Sequence, residues 1–209
     1  MNKAPVMEYG SLVVVSGPSG VGKGTVCKRL CAIAPQVVLS VSATTRPARP
    51  REQNGFHYHF LSREDFFAKR DAGDFLEWAE VYGNFYGTLR SQALLQLAAG
   101  YDVILEIDTQ GAMNIRAAYP EAIFVFILPP SVAELQRRII SRATEDEETI
   151  RLRLSKAESE MLLTKEYDYS IVNDTVDQAA AELLAVIKRE KLRRANMEEP
   201  CLINRPLIK

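Results

Sequence analysis

The fold of this chain is indicated most directly by residues 17–25, which read Gly17-Pro18-Ser19-Gly20-Val21-Gly22-Lys23-Gly24-Thr25. This stretch follows an apolar, β-branched run at residues 11–16 (SLVVVS) and precedes a predicted helix over residues 22–34. Glycines in such a turn let backbone N–H groups wrap phosphate oxygens, and the helix N-terminus adds partial positive charge. Lys23 supplies a full positive charge for the β- and γ-phosphates of a nucleotide. The pattern therefore predicts a phosphate-binding loop on an α/β domain.

The residue after the lysine departs from the plain phosphate-loop pattern. A serine or threonine usually stands there as a hydroxyl ligand of Mg²⁺, but this chain has Gly24, with Thr25 one position later. The hydroxyl is therefore displaced or replaced by water, and we assign no protein ligand to the metal. An ordinary glycine-rich turn is the alternative interpretation. A phosphate loop alone is also shared by GTPases, ATPases, sulfotransferases and small-molecule kinases.

Outward from the loop, predicted strands and helices alternate, which is typical of a parallel α/β sheet. The predicted strands cover residues 11–16, 37–41, 56–61, 75–81, 102–108, 122–128 and 169–173. The predicted helices cover residues 22–34, 62–73, 88–99, 144–163 and 175–195; another follows the strand that ends at 108, and another opens at a capping box formed by Ser131 and Glu134. Residues 42–55 are polar and are expected to form an exposed loop, and residues 196–209 a mobile tail. The carboxyl ends of parallel strands meet at one edge, where we expect the functional site.

The composition excludes several classes of protein. The chain has 209 residues, with 26 Lys and Arg against 27 Asp and Glu, so its formal net charge is −1. It is 47% hydrophobic and 25% charged, which excludes collagen, low-complexity disorder and a disulfide scaffold. The near-zero net charge argues against a protein that coats nucleic acid nonspecifically. The length allows one domain with appended pieces or two small domains.

The cysteines and the apolar runs indicate where the protein works. No apolar run approaches the roughly 20 residues of a membrane-spanning helix, and the first residues, MNKAPVMEYG, lack the apolar region of an export signal. Cys27, Cys31 and Cys201 do not have the spacing of a disulfide framework, which is typical of a reducing compartment. Without a second Cys/His pair, burial of Cys27 and Cys31 is favoured over a metal site. We therefore expect a cytoplasmic protein.

A second group of polar residues follows the second predicted strand. Arg46 and Arg49 stand three positions apart, and Tyr58 lies a little further along the chain. Two guanidinium groups can bind the oxygens of a phosphate monoester bidentately, and a phenol adds a neutral donor. A solvated arginine loop and a packing aromatic are the alternatives.

The motifs, taken in order, resemble those of the guanylate kinase family. The resemblance runs over residues 12–185 and rests on the segments GPSGVGKGT, SATTRPAR, NGFHYHF, FLEWAEVYGNFYGT, LEIDTQGA, PPS and IVND. It implies a P-loop NTPase-type parallel sheet flanked by helices, with a small acceptor-binding insert and a helical lid. The implied core covers residues 11–41, 89–136 and 164–195, the GMP-binding insert residues 42–88, and the lid residues 137–163. The implied reaction is Mg²⁺-dependent transfer of the ATP γ-phosphoryl group to GMP, and to dGMP, in purine nucleotide recycling.

The resemblance also implies roles for acceptor-site residues. The positions that hold the GMP phosphate are matched by Arg46, Arg49, Tyr58 and Tyr86, and those that read guanine by Ser42, Glu77, Thr88 and Asp108. Guanine presents two donors on its Watson–Crick edge, and a carboxylate such as Glu77 can accept from both, whereas adenine would leave buried polar groups unpaired. Each residue also has a structural alternative, since Glu77 could be an exposed strand residue, Thr88 a helix N-cap and Asp108 a helix cap.

The implied lid contributes further cations. Arg138, Arg142 and Arg153 match lid arginines, and together with Lys23 and Arg46 they form the predicted catalytic set. They would stabilise charge on the transferring phosphoryl group. Ala143 departs from the glycine that is usual after the second lid arginine. The alternative is a surface helix with paired charges, an interpretation that suits Arg137 and Arg151 better than catalysis.

Residues at the ends of later strands complete the predicted site. The nucleotide-binding set is the glycine loop together with Asn173, which resembles the adenine-side turn of the family. Asp174 could belong to that turn or cap the next helix. Glu106 and Asp108 are candidates to orient magnesium waters or the acceptor. We expect Mg²⁺ to be held mainly through phosphates and waters.

Two other functions, and binding to nucleic acid, are alternatives to this prediction. A kinase acting on a different phosphorylated acceptor would share the scaffold. Guanylate-kinase-like modules of scaffolding proteins are noncatalytic, but they usually lack the intact phosphate loop that this chain has. The basic run at residues 188–194 could contact nucleic acid, although a solvated helix suffices. The expected partners are GMP and ATP, with no nucleic acid and no membrane, and the chain could be a monomer or a homodimer.

Overall fold

The computed structural model describes residues 9–141 and 147–197. The strands are β1 (Leu12–Ser16), β2 (Val37–Leu39), β3 (Ala43–Thr44), β4 (His59–Phe60), β5 (Phe75–Val81), β6 (Asn84–Leu89), β7 (Asp102–Glu106), β8 (Ile123–Leu128) and β9 (Tyr169–Val172). The helices are α1 (Lys23–Ile33), α2 (Arg63–Asp71), α3 (Arg90–Ala98), α4 (Thr109–Ala118), α5 (Val132–Ser141), α6 (Glu147–Met161) and α7 (Val176–Met197), and a 3₁₀ helix covers Leu162–Glu166.

The larger sheet is parallel throughout, with the strand order β2-β7-β1-β8-β9. All five residues of β1 are buried, as expected for a β-branched strand covered on both faces. Apolar side chains of α1 and α7 pack on one face, and those of α3 and α4 on the other. This architecture confirms the predicted fold class. The carboxyl ends of β1, β7 and β9 lie at one edge, which brings together the segments that follow them.

The smaller sheet has the order β4-β3-β6-β5. Strand β3 pairs parallel with β4 and antiparallel with β6, which also pairs antiparallel with β5. Helix α2 packs on this sheet through Phe66, which is stacked on Phe75 with ring centroids 4.6 Å apart and lies 5.8 Å from Phe85. A separate small aromatic core therefore stabilises this sheet. We call it the acceptor sheet, because nearly all of it lies in residues 42–88, for which the resemblance implies an acceptor-binding insert.

Several predicted elements of the acceptor sheet are wrong in detail. Ala43 and Thr44 lie in the stretch predicted as an exposed loop, yet both are 0% exposed because they form β3 against β6. The strand predicted over residues 56–61 is only His59–Phe60. The helix predicted from residue 88 starts at Arg90, because residues 84–89 extend as β6. The sequence did not reveal β3 because two residues are too few for a periodic pattern, and it did not reveal β6 because Asn84 and Gly87 are uncommon in strands.

Three predicted helix limits, the two of α2 and the start of α5, agree with the structure. Ser62 Oγ accepts a hydrogen bond from the Asp65 N–H at 3.0 Å, and α2 ends before Gly73, whose φ is 75°. Ser131 Oγ likewise accepts from the Glu134 N–H at 3.1 Å, which caps α5.

The C-terminal part differs from its prediction in one place. The helix predicted over residues 144–163 ends at Met161 and continues as the 3₁₀ helix, while residues 142–146 lie outside the described residues. Helix α7 runs to Met197, and the rest of the predicted tail, with Cys201, also lies outside them. Cys27 is buried and Cys31 partly so. Within the described ranges, no helix is long and apolar enough to cross a membrane.

Candidate active site

The glycine loop connects β1 to α1, and its backbone requires glycine at two positions. Gly17 has φ 149°, and a Cβ there would lie 2.4 Å from the Ile127 carbonyl oxygen of β8. Gly22 has φ 97° and is the N-cap of α1, and a Cβ there would lie 2.7 Å from Asn173 Nδ2. Any side chain at either position would displace the loop from the sheet.

Lys23 is folded back onto this loop. Its Nζ donates hydrogen bonds to the carbonyl oxygens of Gly17 at 2.6 Å and Pro18 at 3.2 Å. Burial lowers the pKa of Lys23, while the neighbouring carboxylates of Glu106 and Glu160 act in the opposite direction. The ammonium group is therefore held at the base of the loop, next to the positive end of α1, where an anion gains from both.

A cavity of about 250 Å³ joins the loop to the acceptor sheet. Residues of the predicted site that line it are Gly17, Ser19, Lys23, Ser42, Tyr58, Glu77, Tyr86 and Asp108. Glu106, named above as a candidate to orient magnesium waters or the acceptor, also lines it. Further lining residues were not predicted for the site, namely Ala79, Val81, Tyr82, Gly87, Ile107, Lys156 and Glu160. The lining is contributed by both sheets and by α6, so the cavity lies between the two sheets.

Glu77 and Thr88 form a buried pair at one end of the cavity. They are partners across β5 and β6, and Thr88 Oγ1 donates to Glu77 Oε1 at 2.7 Å. Glu77 is 6% exposed and Thr88 0%, so the alternatives of an exposed strand residue and a helix N-cap are wrong. The pKa of Glu77 is raised to about 7, mainly because the carboxyl group is buried; the hydrogen bond from Thr88 opposes this shift and the nearby Asp108 adds to it.

Asp108 reaches the same end of the cavity from the opposite sheet. It is the N-cap of α4, and its Oδ1 accepts from the Gly111 N–H at 2.9 Å. A Cβ at Gly111 would lie 2.7 Å from Glu77 Oε2 and 3.3 Å from Asp108 Oδ1. The missing side chain at Gly111 therefore lets two carboxyl groups from separate sheets approach each other.

Three of the four predicted phosphate-holding residues, Arg46, Tyr58 and Tyr86, lie close together beside the acceptor sheet. The rings of Tyr58 and Tyr86 are 6.1 Å apart, and the Arg46 guanidinium lies 5.4 Å from the Tyr58 ring centroid. Arg46 forms a bidentate pair with Glu52, with both N–O distances 2.9 Å. This pair lowers the pKa of Glu52 to about 2. The Arg49 N–H also donates to Glu52 at 2.7 Å, and the Arg49 residue is exposed.

Arg138 and Asn173 brace the glycine loop at the Val21 carbonyl oxygen. Arg138, on α5, donates to this oxygen at 3.2 Å, and Asn173 Nδ2 donates to it at 2.7 Å. The Arg138 Nε also pairs with Glu134 at 2.7 Å. Asn173 is 3% exposed, so its amide fixes the loop position from the end of β9.

The remaining arginines of the implied lid, and Asp174, contribute less to the described site. Arg142 lies outside the described residues, and Arg153 lies on α6 with its side chain outside them. Arg137 is exposed and pairs with Glu134 at 2.8 Å. The Gln178 N–H is capped by Thr175 Oγ1 at 3.3 Å, which disfavours a cap at Asp174.

Glu106 gives a structural reason for the unusual Gly24. A Cβ at Gly24 would lie 3.1 and 3.2 Å from the two carboxylate oxygens of Glu106. Burial raises the pKa of Glu106, and Lys23 opposes the shift. A carboxylate therefore occupies the space beside the position that usually carries a hydroxyl. Within the described residues, no group of three or more His, Cys, Asp and Glu side chains could hold a metal ion by itself.

Sequence reasoning missed Glu160 and Lys156 as residues of the cavity. They stand one turn apart on α6, a helix rich in charged residues. The burial of Glu160 in the cavity was not foreseeable, because charged residues at helical spacing are usually solvated.

Comparison with known proteins agrees with this geometry. A family model described as guanylate kinase matches residues 9–190. A guanylate kinase of Symbiobacterium thermophilum is 50% identical over 189 residues, 90% of this chain and 90% of the relative. One of Synechococcus elongatus is 51% identical over 181 residues, 87% of this chain and 99% of the relative. The crystal structure of guanylate kinase from Anaplasma phagocytophilum has a TM-score of 0.74 at 35% identity, with 88% of each chain covered.

These matches confirm the resemblance found in the motifs. They extend over both sheets and over the helices between them, well beyond the phosphate loop that many nucleotide-binding proteins share. The chain therefore belongs to the guanylate kinase family, the nucleoside monophosphate kinases that transfer a phosphoryl group from ATP to GMP.

Proposed function

We propose that the phosphates of ATP bind the glycine loop around Lys23 and that GMP binds in the cavity between this loop and the acceptor sheet. The observation that carries the proposal is that one cavity is lined by both Lys23 and the buried Glu77. A cation for phosphates and a carboxylate for a base thus face the same space. Donor and acceptor bound there would be held close together, which is the main catalytic requirement of phosphoryl transfer.

Glu77 is proposed to read guanine, supported by Ser42, Thr88 and Asp108. The Glu77 carboxylate can accept from both N1–H and the 2-amino group of guanine, and the bond from Thr88 holds it in place. Because Glu77 is buried, a base without these donors would leave the carboxylate with only the hydrogen bond from Thr88, and such a base is rejected strongly.

The phosphate of GMP is proposed to contact Tyr58, Tyr86, Arg46 and Arg49. The two tyrosines line the cavity, and Arg46 lies against the Tyr58 ring. Arg46 is already oriented by Glu52, so it would share its guanidinium donors between this carboxylate and the phosphate. These proposed contacts are to the base and the phosphate, whereas dGMP differs from GMP only at the 2′ position of the sugar. We therefore also propose dGMP as an acceptor.

No covalent nucleophile is required, because the acceptor phosphate is itself a charged nucleophile. Lys23 and the proposed lid arginines, Arg138, Arg142 and Arg153, would stabilise charge on the transferring group. Asn173 and Arg138 hold the loop in position through Val21. Closure of the proposed insert, residues 42–88, and the proposed lid, residues 137–163, over the core would exclude water.

Mg²⁺ is proposed as the metal that neutralises the nucleotide phosphates. The residues present fit a cation held largely by phosphates and waters, because Gly24 has no hydroxyl and the Glu106 carboxylate lies beside it. Glu106 and Asp108 would accept hydrogen bonds from the metal's waters. Cys27 and Cys31 are free thiols, which supports a cytoplasmic location.

A parallel acceptor assay tests the proposal. ADP formation is measured from ATP and Mg²⁺ with GMP, dGMP, AMP, UMP and CMP at equal concentrations. We expect rapid turnover with GMP and dGMP and very little with the other three. Rapid phosphorylation of AMP or UMP, with none of GMP, would contradict the assignment of the acceptor. In the same assay, a Glu77→Gln variant tests the proposed contact to guanine. Glu80→Gln is its matched control, because Glu80 is exposed on the same strand.

A further inference from the structure

Glu160 places a negative charge at the mouth of the glycine loop. Its Oε2 accepts a hydrogen bond from the Ser19 N–H at 3.2 Å. Glu160 is 6% exposed and lines the cavity together with Lys23. Backbone N–H groups of such loops are anion donors, so a carboxylate of the chain occupies an anion position of the loop.

Lys156 accompanies this carboxylate. Its Nζ lies 3.9 Å from Glu160 Oε1 and 4.6 Å from the ring centroid of Tyr82. The Lys156 side chain is 33% exposed and also lines the cavity. Tyr82 lies in the turn between β5 and β6, so Lys156 bridges from α6 to the acceptor sheet.

A bound nucleotide would act in opposite directions on Glu160 and Lys156. Burial raises the pKa of Glu160, and Lys23 and Lys156 offset part of this effect. A triphosphate at Lys23 would bring several negative charges close to the Glu160 carboxylate. Like charges at such separations in a partly desolvated cavity repel strongly, whereas Lys156 would be attracted to the same phosphates.

We propose that Glu160 and Lys156 form part of the nucleotide-phosphate site: Glu160 holds the Ser19 N–H in the empty loop, and incoming phosphate displaces it and pairs with Lys156. This proposal rests on the proposed position of the ATP phosphates at Lys23. Because both residues belong to α6, the displacement would couple phosphate binding to movement of this helix. Glu160 and Lys156 are thus positioning and binding residues with opposite effects on affinity.

The test is calorimetric titration with adenosine 5′-(β,γ-imido)triphosphate, with and without Mg²⁺. Glu160→Gln keeps an acceptor for the Ser19 N–H but removes the charge, and we expect the Kd to fall by about threefold or more. Lys156→Met keeps the length of the side chain but removes its charge, and we expect the Kd to rise about tenfold. Glu158→Gln, an exposed change on the same helix, is the matched control and leaves the Kd unchanged.

The outcomes separate this inference from the proposed function. An unchanged or higher Kd for Glu160→Gln overturns the displacement, and an unchanged or lower Kd for Lys156→Met overturns the phosphate contact. Lys23→Met is measured in parallel. If it binds the analogue as tightly as the unaltered protein, the proposed phosphate position itself is wrong. Thermal unfolding checks that each variant folds. If Glu160→Gln does not, Glu160→Ala, which also removes the charge, is titrated in its place, and an unchanged or higher Kd again overturns the displacement.

Discussion

The glycine loop and the end of the cavity that holds Glu77 both keep polar groups ready for a ligand, but they do so in opposite ways. The loop satisfies its lysine locally, since Lys23 donates to the carbonyl oxygens of Gly17 and Pro18 within the same turn. The other end buries Glu77, which accepts from Thr88 of the neighbouring strand and faces Asp108 from the other sheet.

The two regions differ in whether their charged group is paired before a ligand binds. The Lys23 ammonium is paired within the loop before any ligand binds, so its charge is held in a preformed position. The Glu77 carboxyl is desolvated without a countercharge, so its ionised form is disfavoured until a ligand supplies donors. We therefore expect changes in the loop to reduce catalysis, and changes at Glu77 to trade affinity for stability.

The largest effect is expected in the loop. Lys23→Met removes the charge that would stabilise the transferring phosphoryl group, and kcat should fall about 10³-fold. GMP affinity should stay unchanged, because GMP would bind mainly to the acceptor sheet. Steady-state kinetics and calorimetric titration with GMP check both parts. Near-normal turnover would contradict the role proposed for Lys23.

At the other end of the cavity, Glu77→Gln should raise the KM for GMP about 10²-fold. The variant loses charge-assisted hydrogen bonds to guanine and places an amide donor against guanine donors. The KM for ATP should not change. Initial rates with varied GMP measure the effect, and Glu80→Gln serves as the exposed control. Equal KM values for Glu77→Gln and the control would remove Glu77 from base recognition.

The same substitution should stabilise the protein at high pH. The folded-state pKa of Glu77 is about 7, above its ordinary value of 4.5. A raised pKa means that its contribution to stability is fully present below pH 4.5 and is lost as the pH rises through 7. Glu77→Gln should therefore increase the free energy of unfolding by about 3 kcal/mol at pH 8, relative to its effect at pH 4.5.

Urea unfolding at the two pH values measures this effect. The difference between Glu77→Gln and the unaltered protein should grow between pH 4.5 and pH 8. A difference that does not change with pH would show that the buried carboxyl imposes no such cost, and the contrast between the two regions would then lose its energetic basis.

The smallest effect is expected where the loop is braced. Asn173→Ala removes one of two donors to the Val21 carbonyl oxygen, while Arg138 retains the other. The free energy of unfolding should fall by about 1 kcal/mol, and the KM for ATP should rise severalfold. Denaturant unfolding and initial rates measure the two effects. Glu182→Ala, an exposed change on α7, should alter neither, and a matching loss there would remove the specific role of Asn173.

Much of the architecture could be predicted from the sequence, but the acceptor sheet could not be predicted in detail. The buried run before the loop and the capping residue Ser62 are local signals, and their elements form as expected. Strand β3 was taken for an exposed loop, because Ala43 and Thr44 are buried only through their pairing with β6. A strand of two residues has no periodicity that a sequence could show.

The residues of the site could likewise be predicted only where they belong to a local sequence motif. Residues within strong motifs, such as Lys23 and Glu77, were named from the sequence, and both line the cavity. Asn173 was also named from the sequence, but its contact with the Val21 carbonyl oxygen of the glycine loop could not be predicted there. Glu160 was not named at all, because one buried carboxylate on a charged helix has no local signature.

The sequence by itself determined the glycine loop and the family, because these depend on consecutive residues whose backbone geometry and chemistry are local. The tertiary structure decided what those residues face. Strand order placed Asp108 opposite Glu77, the end of β9 placed Asn173 behind Val21, and the packing of α6 placed Glu160 at Ser19. The physical reason is that burial, and with it the pKa of a carboxyl group, depends on neighbours that are distant along the chain.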